Sequence, residues 1–130
     1  MSHHRQPVTA SDAPAAVGPY VHAVRAGGLL FCSGQVPLDP DTGELVEGPI
    51  GEQAARCLAN LQTVCVAAGA GLADAVRITV YVTDMADFAA VNEAYAAFFA
   101  DDPPARVAIG VAALPLGAAV EMDAVVALPA

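Results

Sequence analysis

An α+β domain, with a mixed sheet and two helices packed on one of its faces, is the architecture this 130-residue sequence predicts. Three observations carry it. A hairpin signal at Gly27-Gly28 opens the chain, helical spacing fills two middle stretches, and alternating apolar segments lie between and after them. The resulting order is hairpin, helix, strand, helix, two strands. The length leaves room for one core, so residues 1–130 are read as a single domain whose polar, proline-containing residues 1–12 form a loose N-terminal segment. His3 and His4 carry no argument.

Tyr20 to Ala26 and Leu29 to Ser33 flank Gly27-Gly28, a pair able to take the positive φ angles of a tight hairpin. "PLDPDTGELVEGP" then has the Pro, Asp and Gly density of a surface loop. From Glu52 to Ala68 apolar residues recur at Ala54, Leu58, Leu61, Cys65 and Ala68, which is helical spacing, and Gly69 follows as the C-terminal stop. "GAGLAD" is glycine-rich but follows a helix and precedes a strand, the reverse of a phosphate-binding loop. Ala75 to Thr83 alternates, with Val76, Ile78, Val80 and Val82 on one face and Arg77, Thr79, Tyr81 and Thr83 on the other. Asp84 is placed to cap the next helix, with Asp87 in its first turn and an apolar face of Phe88, Val91, Tyr95, Phe98 and Phe99. Pro103-Pro104 ends it. Two strands follow, about Ala105 to Ala113 and Ala118 to Leu128, joined across "LPLG".

Fourteen acids face five basic residues, for a net charge of −9, and all five are arginine. Without lysine, Schiff-base and pyridoxal-phosphate chemistry and the P-loop are excluded. The acidic balance also speaks against nucleic acid, whose phosphates are bound by cations. Cys32, Cys57 and Cys65 have no metal-ligand spacing, and no His/Asp/Glu cluster has it either. Cys57 and Cys65 lie about 12 Å apart along one helix, too far for a disulfide, so buried thiols in a reducing compartment are expected. No stretch is long and apolar enough to span a bilayer and no secretion signal opens the chain, so a cytoplasmic location is expected. The apolar fraction of 56% is high for a domain this small and points to self-association.

Chemistry concentrates in "PARVAIGVAALPLGAAVEMDAVV". Arg106 shares a strand face with Ala108, Gly110 and Ala112, small neighbours that leave room for a guest. A guanidinium fork suits a carboxylate, so a small carboxylic acid is one expected partner. An internal salt bridge to Glu121 or Asp123 at a subunit interface is the other. A turn centred near Pro115 and Leu116 would place Glu121 on the same sheet face as Arg106.

"APAAVGPY" ending at Tyr20, "FCSGQVPLDPDTGELVEG", "VNEAYAAFF" around Asn92, and the tract holding Arg106 and Glu121 together resemble the RidA (YjgF) family of enamine/imine deaminases. The likeness runs in order from about Ala13 to the C-terminus. It implies a chorismate-mutase-like fold assembled as a homotrimer, with ligand clefts between subunits. It also implies hydrolysis of 2-aminoacrylate, 2-iminobutanoate and similar acids to 2-keto acids and ammonia, without metal or organic cofactor. Carried over, Arg106 holds the substrate carboxylate, Glu121 activates water and manages the leaving nitrogen's proton, and Tyr20 acts beside them. Ser33, Gly34 and Asn92 complete the polar lining, while Asp123 balances charge and His22 is an outward strand residue. Ala108 stands where many relatives have cysteine, and Gly110 and Leu116 replace residues often charged in relatives. A non-catalytic trimer of the same fold, binding small carboxylates or acting as a chaperone, is the alternative; RNA cleavage fits the charge less well.

Overall fold

The computed structural model describes residues 4–130; His3 and the residues before it lie outside the described residues. Six strands form one sheet in the order β1-β2-β3-β6-β4-β5. They are β1 (Gln6–Val8), β2 (Ala23–Ala26), β3 (Leu29–Gln35), β4 (Ala75–Val82), β5 (Ala105–Gly110) and β6 (Val120–Ala127). Helices α1 (Ile50–Ala67) and α2 (Phe88–Phe98) pack on each other and cover one face. All neighbouring strands run antiparallel except β4 and β5.

The β2–β3 hairpin turns on Gly27 and Gly28 at φ 58° and 81°, a two-residue loop that a side chain would strain. It begins at Ala23 rather than Tyr20. Residues 20–22 stay outside the ladder because His22 turns inward. The expected outward histidine is in fact buried at 3% exposure. Its Nδ1 accepts the Ala10 N–H at 2.9 Å, and Nε2 lies 2.7 Å from the Pro14 carbonyl. The imidazole thereby fastens residues 10–14 against the sheet. Part of the segment read as loose is likewise ordered, since Gln6–Val8 pairs with β2.

α1 buries Ala54, Leu58, Leu61 and Cys65, the stripe its spacing announces, together with Cys57 and Val64. Burial of each leucine contributes about 1.5–3 kcal/mol. Gly69 follows at φ 82°, where its amide and that of Ala70 close the helix end. All three cysteines are free and buried. Asp84 accepts from the Ala86 amide, capping a 3-10 turn at Met85–Asp87 that leads into α2. Val91, Tyr95 and Phe99 point into the core, but Phe98 is exposed.

β4 buries Ile78, Val80 and Val82 against the helices. A register shift between Ala75 and Arg77 breaks the alternation, so Val76 leaves the predicted buried set. β6 alternates without a break, with Val120, Met122, Ala124 and Val126 buried and Glu121, Asp123, Val125 and Ala127 on the open face. That pattern suits a central strand with one covered face, and β6 lies between β3 and β4. β5 runs parallel to β4 at the sheet edge, reached from β6 only by the long connection 111–119.

Candidate active site

Strand order decides the geometry of the site. β4 separates β5 from β6, so the turn at "LPLG" transmits no hairpin parity. Arg106 is registered beside Ile78, whose side chain is buried under the helices, whereas Glu121 is registered beside Tyr81 on the open face. Arg106 and Glu121 therefore occupy opposite faces, contrary to the parity expectation, and within one chain Arg106 forms no salt bridge to Glu121 or Asp123. Two strand spacings sideways and three residues along put their Cα atoms on the order of 14 Å apart. A three-carbon amino-acid skeleton spans only about 4–5 Å.

The Arg106 cluster lies between β5 and α2. Nη1 donates to Asn92 Oδ1 at 2.5 Å, and the guanidinium carbon stands 5.2 Å from the Phe88 ring centre and 5.0 Å from that of Tyr95. Phe88, Asn92 and Tyr95 are four and three residues apart, so α2 presents them on one side. Two aromatic faces and one amide hold the cation in a fixed plane, leaving its other donors toward solvent. The arginine is exposed rather than buried, with Ala108 and Gly110 beyond it on the same strand face. The Tyr95 hydroxyl is buried without a hydrogen-bond partner among the described residues.

The Glu121 cluster is on the open face. β3 slips its register against β6 between Cys32 and Gln35, which sets Ser33 and Gly34 opposite this part of β6. A Cβ at Gly34 would collide with the Glu121 carboxylate, so glycine is what lets the acid lie over the strand. Glu121 is held above the ordinary carboxylate range, by burial first and by the charge of Asp123 second. Tyr81 donates its phenol to Asp123 Oδ2 at 2.6 Å. The phenol itself is pushed up to about 12, chiefly by that hydrogen bond and then by burial. Ser33 Oγ donates to the Val21 carbonyl at 2.6 Å, so its proton serves the backbone. Tyr20 is half exposed beside that junction and lines a shallow groove with Ala10, Ser11 and Ala13.

Each chain thus carries two clusters on opposite faces, Arg106 with Asn92 and Glu121 with Gly34 and Ser33, while Tyr20 lines the groove formed with Ala10, Ser11 and Ala13. Sequence reasoning missed Phe88, Tyr95 and Tyr81. The first two were signalled by their helical spacing around Asn92, and Tyr81 by its place on the polar face of β4. Among the described residues no three His, Cys, Asp or Glu side chains converge as metal ligands, and no helix is long and apolar enough to cross a membrane.

Fold and site together define a mixed α+β protein with an exposed arginine framed by two aromatic rings at one sheet edge and a partly buried glutamate on the open face. The chain belongs to the family described as Endoribonuclease L-PSP, the YjgF/RidA family, which it matches over residues 10–128. It is 50% identical over 123 residues to the RutC family protein y4sK of Sinorhizobium fredii, covering 95% of this chain and 98% of that one. It is 45% identical over 121 residues to the 2-iminobutanoate/2-iminopropanoate deaminase of Mus musculus, covering 93% and 90% of the two chains. Among solved structures, RidA of the Antarctic bacterium Psychrobacter sp. PAMC 21119 superposes with a TM-score of 0.90 at 42% identity, covering 95% of this chain and 99% of that one. E. coli TdcF with bound serine does so with a TM-score of 0.90 at 37% identity and the same coverages.

Proposed function

We propose that this chain hydrolyses reactive 2-enamino and 2-imino acids, such as 2-aminoacrylate and 2-iminobutanoate, to 2-keto acids and ammonia, acting in the cytoplasm as a homotrimer with clefts between subunits. The observation that carries the reading is the placement of Arg106 and Glu121 on opposite faces of one sheet. A small substrate meets both only when the arginine side of one copy faces the acid side of another. A contact between two different surfaces is heterologous and closes into a ring, for which three is the number that the family resemblance gives. Exposed Phe31, Val107 and Ile109 supply apolar surface for such a contact to cover. The deaminase name of the mouse relative supports the reaction, and the serine bound by E. coli TdcF supports a ligand with an amino-acid skeleton.

In this cleft Arg106 holds the substrate carboxylate with the donors that Asn92 leaves free. Tyr20, Ser33, Gly34 and Asn92 line the remainder. For an enamine, protonated Glu121 gives its proton to the terminal carbon, which binds it with the C=C π pair while the nitrogen lone pair forms the C=N bond of the iminium. The glutamate, now a carboxylate, takes a proton from water as the water oxygen bonds to C2 and the C=N pair returns to nitrogen. Glu121 then protonates that nitrogen and accepts the hydroxyl proton as the C–N bond breaks. Ammonia and the keto acid leave, and Glu121 is again protonated. An iminium carbon is already electrophilic, so a positioned water and a fixed carboxylate suffice and no cofactor is called for.

The test generates 2-aminoacrylate with a serine dehydratase and 2-iminobutanoate from threonine, and traps surviving imine with semicarbazide. Wild type lowers the trapped product, while Arg106→Ala loses about 10²–10³-fold in kcat/KM as a charge-assisted clasp disappears. A wild-type protein indistinguishable from buffer on both substrates refutes the reading.

A further inference from the structure

Glu121 has a second acid beside it. Asp123 follows on the same face of β6, and Tyr81, the β4 residue registered with Glu121, holds Asp123 through its phenol at 2.6 Å. Alternate residues of a strand lie about 7 Å apart, near enough for two carboxylate charges in a half-buried place to repel. One of the two therefore carries a proton more readily than an isolated acid would, and the neighbours decide which.

We propose that Tyr81 and Asp123 form a positioning pair that fixes a carboxylate beside Glu121 and so favours the proton on Glu121. The catalytic meaning rests on the deaminase reading; the assignment itself rests on the open-face geometry. A phenol donating to a carboxyl group favours the anionic form of that group. Tyr81 keeps its own proton throughout the neutral range and so stays a donor. Glu121 has no such donor among the described residues; the β3 residue beside its carboxylate is Gly34, which brings no side chain.

The other groups around Glu121 leave this order intact. β3 brings Ser33 and Gly34 and no charge. α1 brings Cys57 from beneath the sheet, its thiol held neutral by burial first and by Glu121 second. In the proposed assembly Arg106 of the partner subunit opposes the effect by favouring an anionic Glu121. A substrate carboxylate bound to that arginine offsets its charge, so the proton settles on Glu121 as the cleft fills.

The test follows the side-chain carboxyl carbon of Glu121 by NMR titration of the whole chain as wild type, Tyr81→Phe and Asp123→Asn. Asp123→Asn moves the Glu121 midpoint to lower pH, so that above it the protonated fraction falls about five- to tenfold, the effect of one charge at strand spacing in a partly screened site. Tyr81→Phe releases the Asp123 side chain from the place its hydrogen bond holds and moves the Glu121 midpoint as well. Either variant alone reports on the pair, so misfolding of one leaves the other decisive. A Glu121 midpoint indifferent to the variants overturns the proposal. Glu121→Gln is assayed in parallel: full deaminase activity there refutes the catalytic role of Glu121 while the titration still judges the pair.

Discussion

Replacing Gly34 with alanine puts a methyl group where the Glu121 carboxylate now lies. Gly34 is not among the glycines with positive φ, so alanine meets no backbone penalty there. The loss of unfolded-state freedom favours the variant by about 0.4–1 kcal/mol. Moving Glu121 to a strained or different rotamer costs about 0.5–1.5 kcal/mol, so the two terms nearly cancel. The chemistry does not enjoy that cancellation, because an acid displaced by about 1 Å costs on the order of 10²-fold in rate. The expected variant unfolds in urea within about 1 kcal/mol of wild type, yet shows kcat down roughly a hundredfold. KM changes little, since the carboxylate clasp on Arg106 belongs to the other cluster. Steady-state kinetics on enzymatically generated imine, beside urea unfolding, measures both quantities. A folded Gly34→Ala protein with kcat within about threefold of wild type refutes the argument that this glycine exists to seat Glu121.

Three further outcomes follow from other parts of the molecule. Leu116 sits at φ 61° with its side chain exposed, so Leu116→Asn stabilises by roughly 0.5–1 kcal/mol in urea unfolding; a comparable loss shows that another copy covers the leucine. His22→Leu strands the Ala10 N–H and the Pro14 carbonyl and costs about 2–4 kcal/mol, read as a lower urea midpoint at unchanged slope. Glu121 binds its proton more tightly folded than unfolded, so its contribution to stability is fully present in acid and is lost as pH rises through its folded titration. The stability of wild type relative to Glu121→Gln accordingly declines as pH rises from the ordinary glutamate titration, about pH 4, up through the folded one, and a flat or rising difference contradicts this.

Much of the fold was legible because local patterns agree with the tertiary structure. The stripe Ala54, Leu58, Leu61, Cys65, the pair Gly27-Gly28, and the alternation of β6 each answer to a short-range rule. Strand order has no such rule. Nothing local to "LPLG" states that β6 will enter between β3 and β4, and one intervening strand was enough to put Arg106 and Glu121 on opposite faces. His22 misled for a related reason: its partners at Ala10 and Pro14 are backbone groups, which leave no mark in the side-chain sequence. The members of the candidate site were identifiable by type, since a lone arginine in an apolar tract and an acid on an alternating strand call for a partner. Tyr81 was harder, because a tyrosine on a polar strand face becomes informative only once its register with Glu121 and its bond to Asp123 are known.

In the proposed ring, the clusters on opposite faces make each copy of the chain a member of two reaction chambers at once. A subunit that has lost its arginine still lends a sound glutamate to one neighbour, and a subunit that has lost its glutamate still lends a sound arginine to the other. Two inactive proteins, Arg106→Ala and Glu121→Gln, therefore rebuild about a quarter of their chambers when unfolded together and allowed to reassemble at random in equal amounts. In that ring, genetic damage is counted by chamber rather than by chain: two alleles, each inactive alone, restore activity in company.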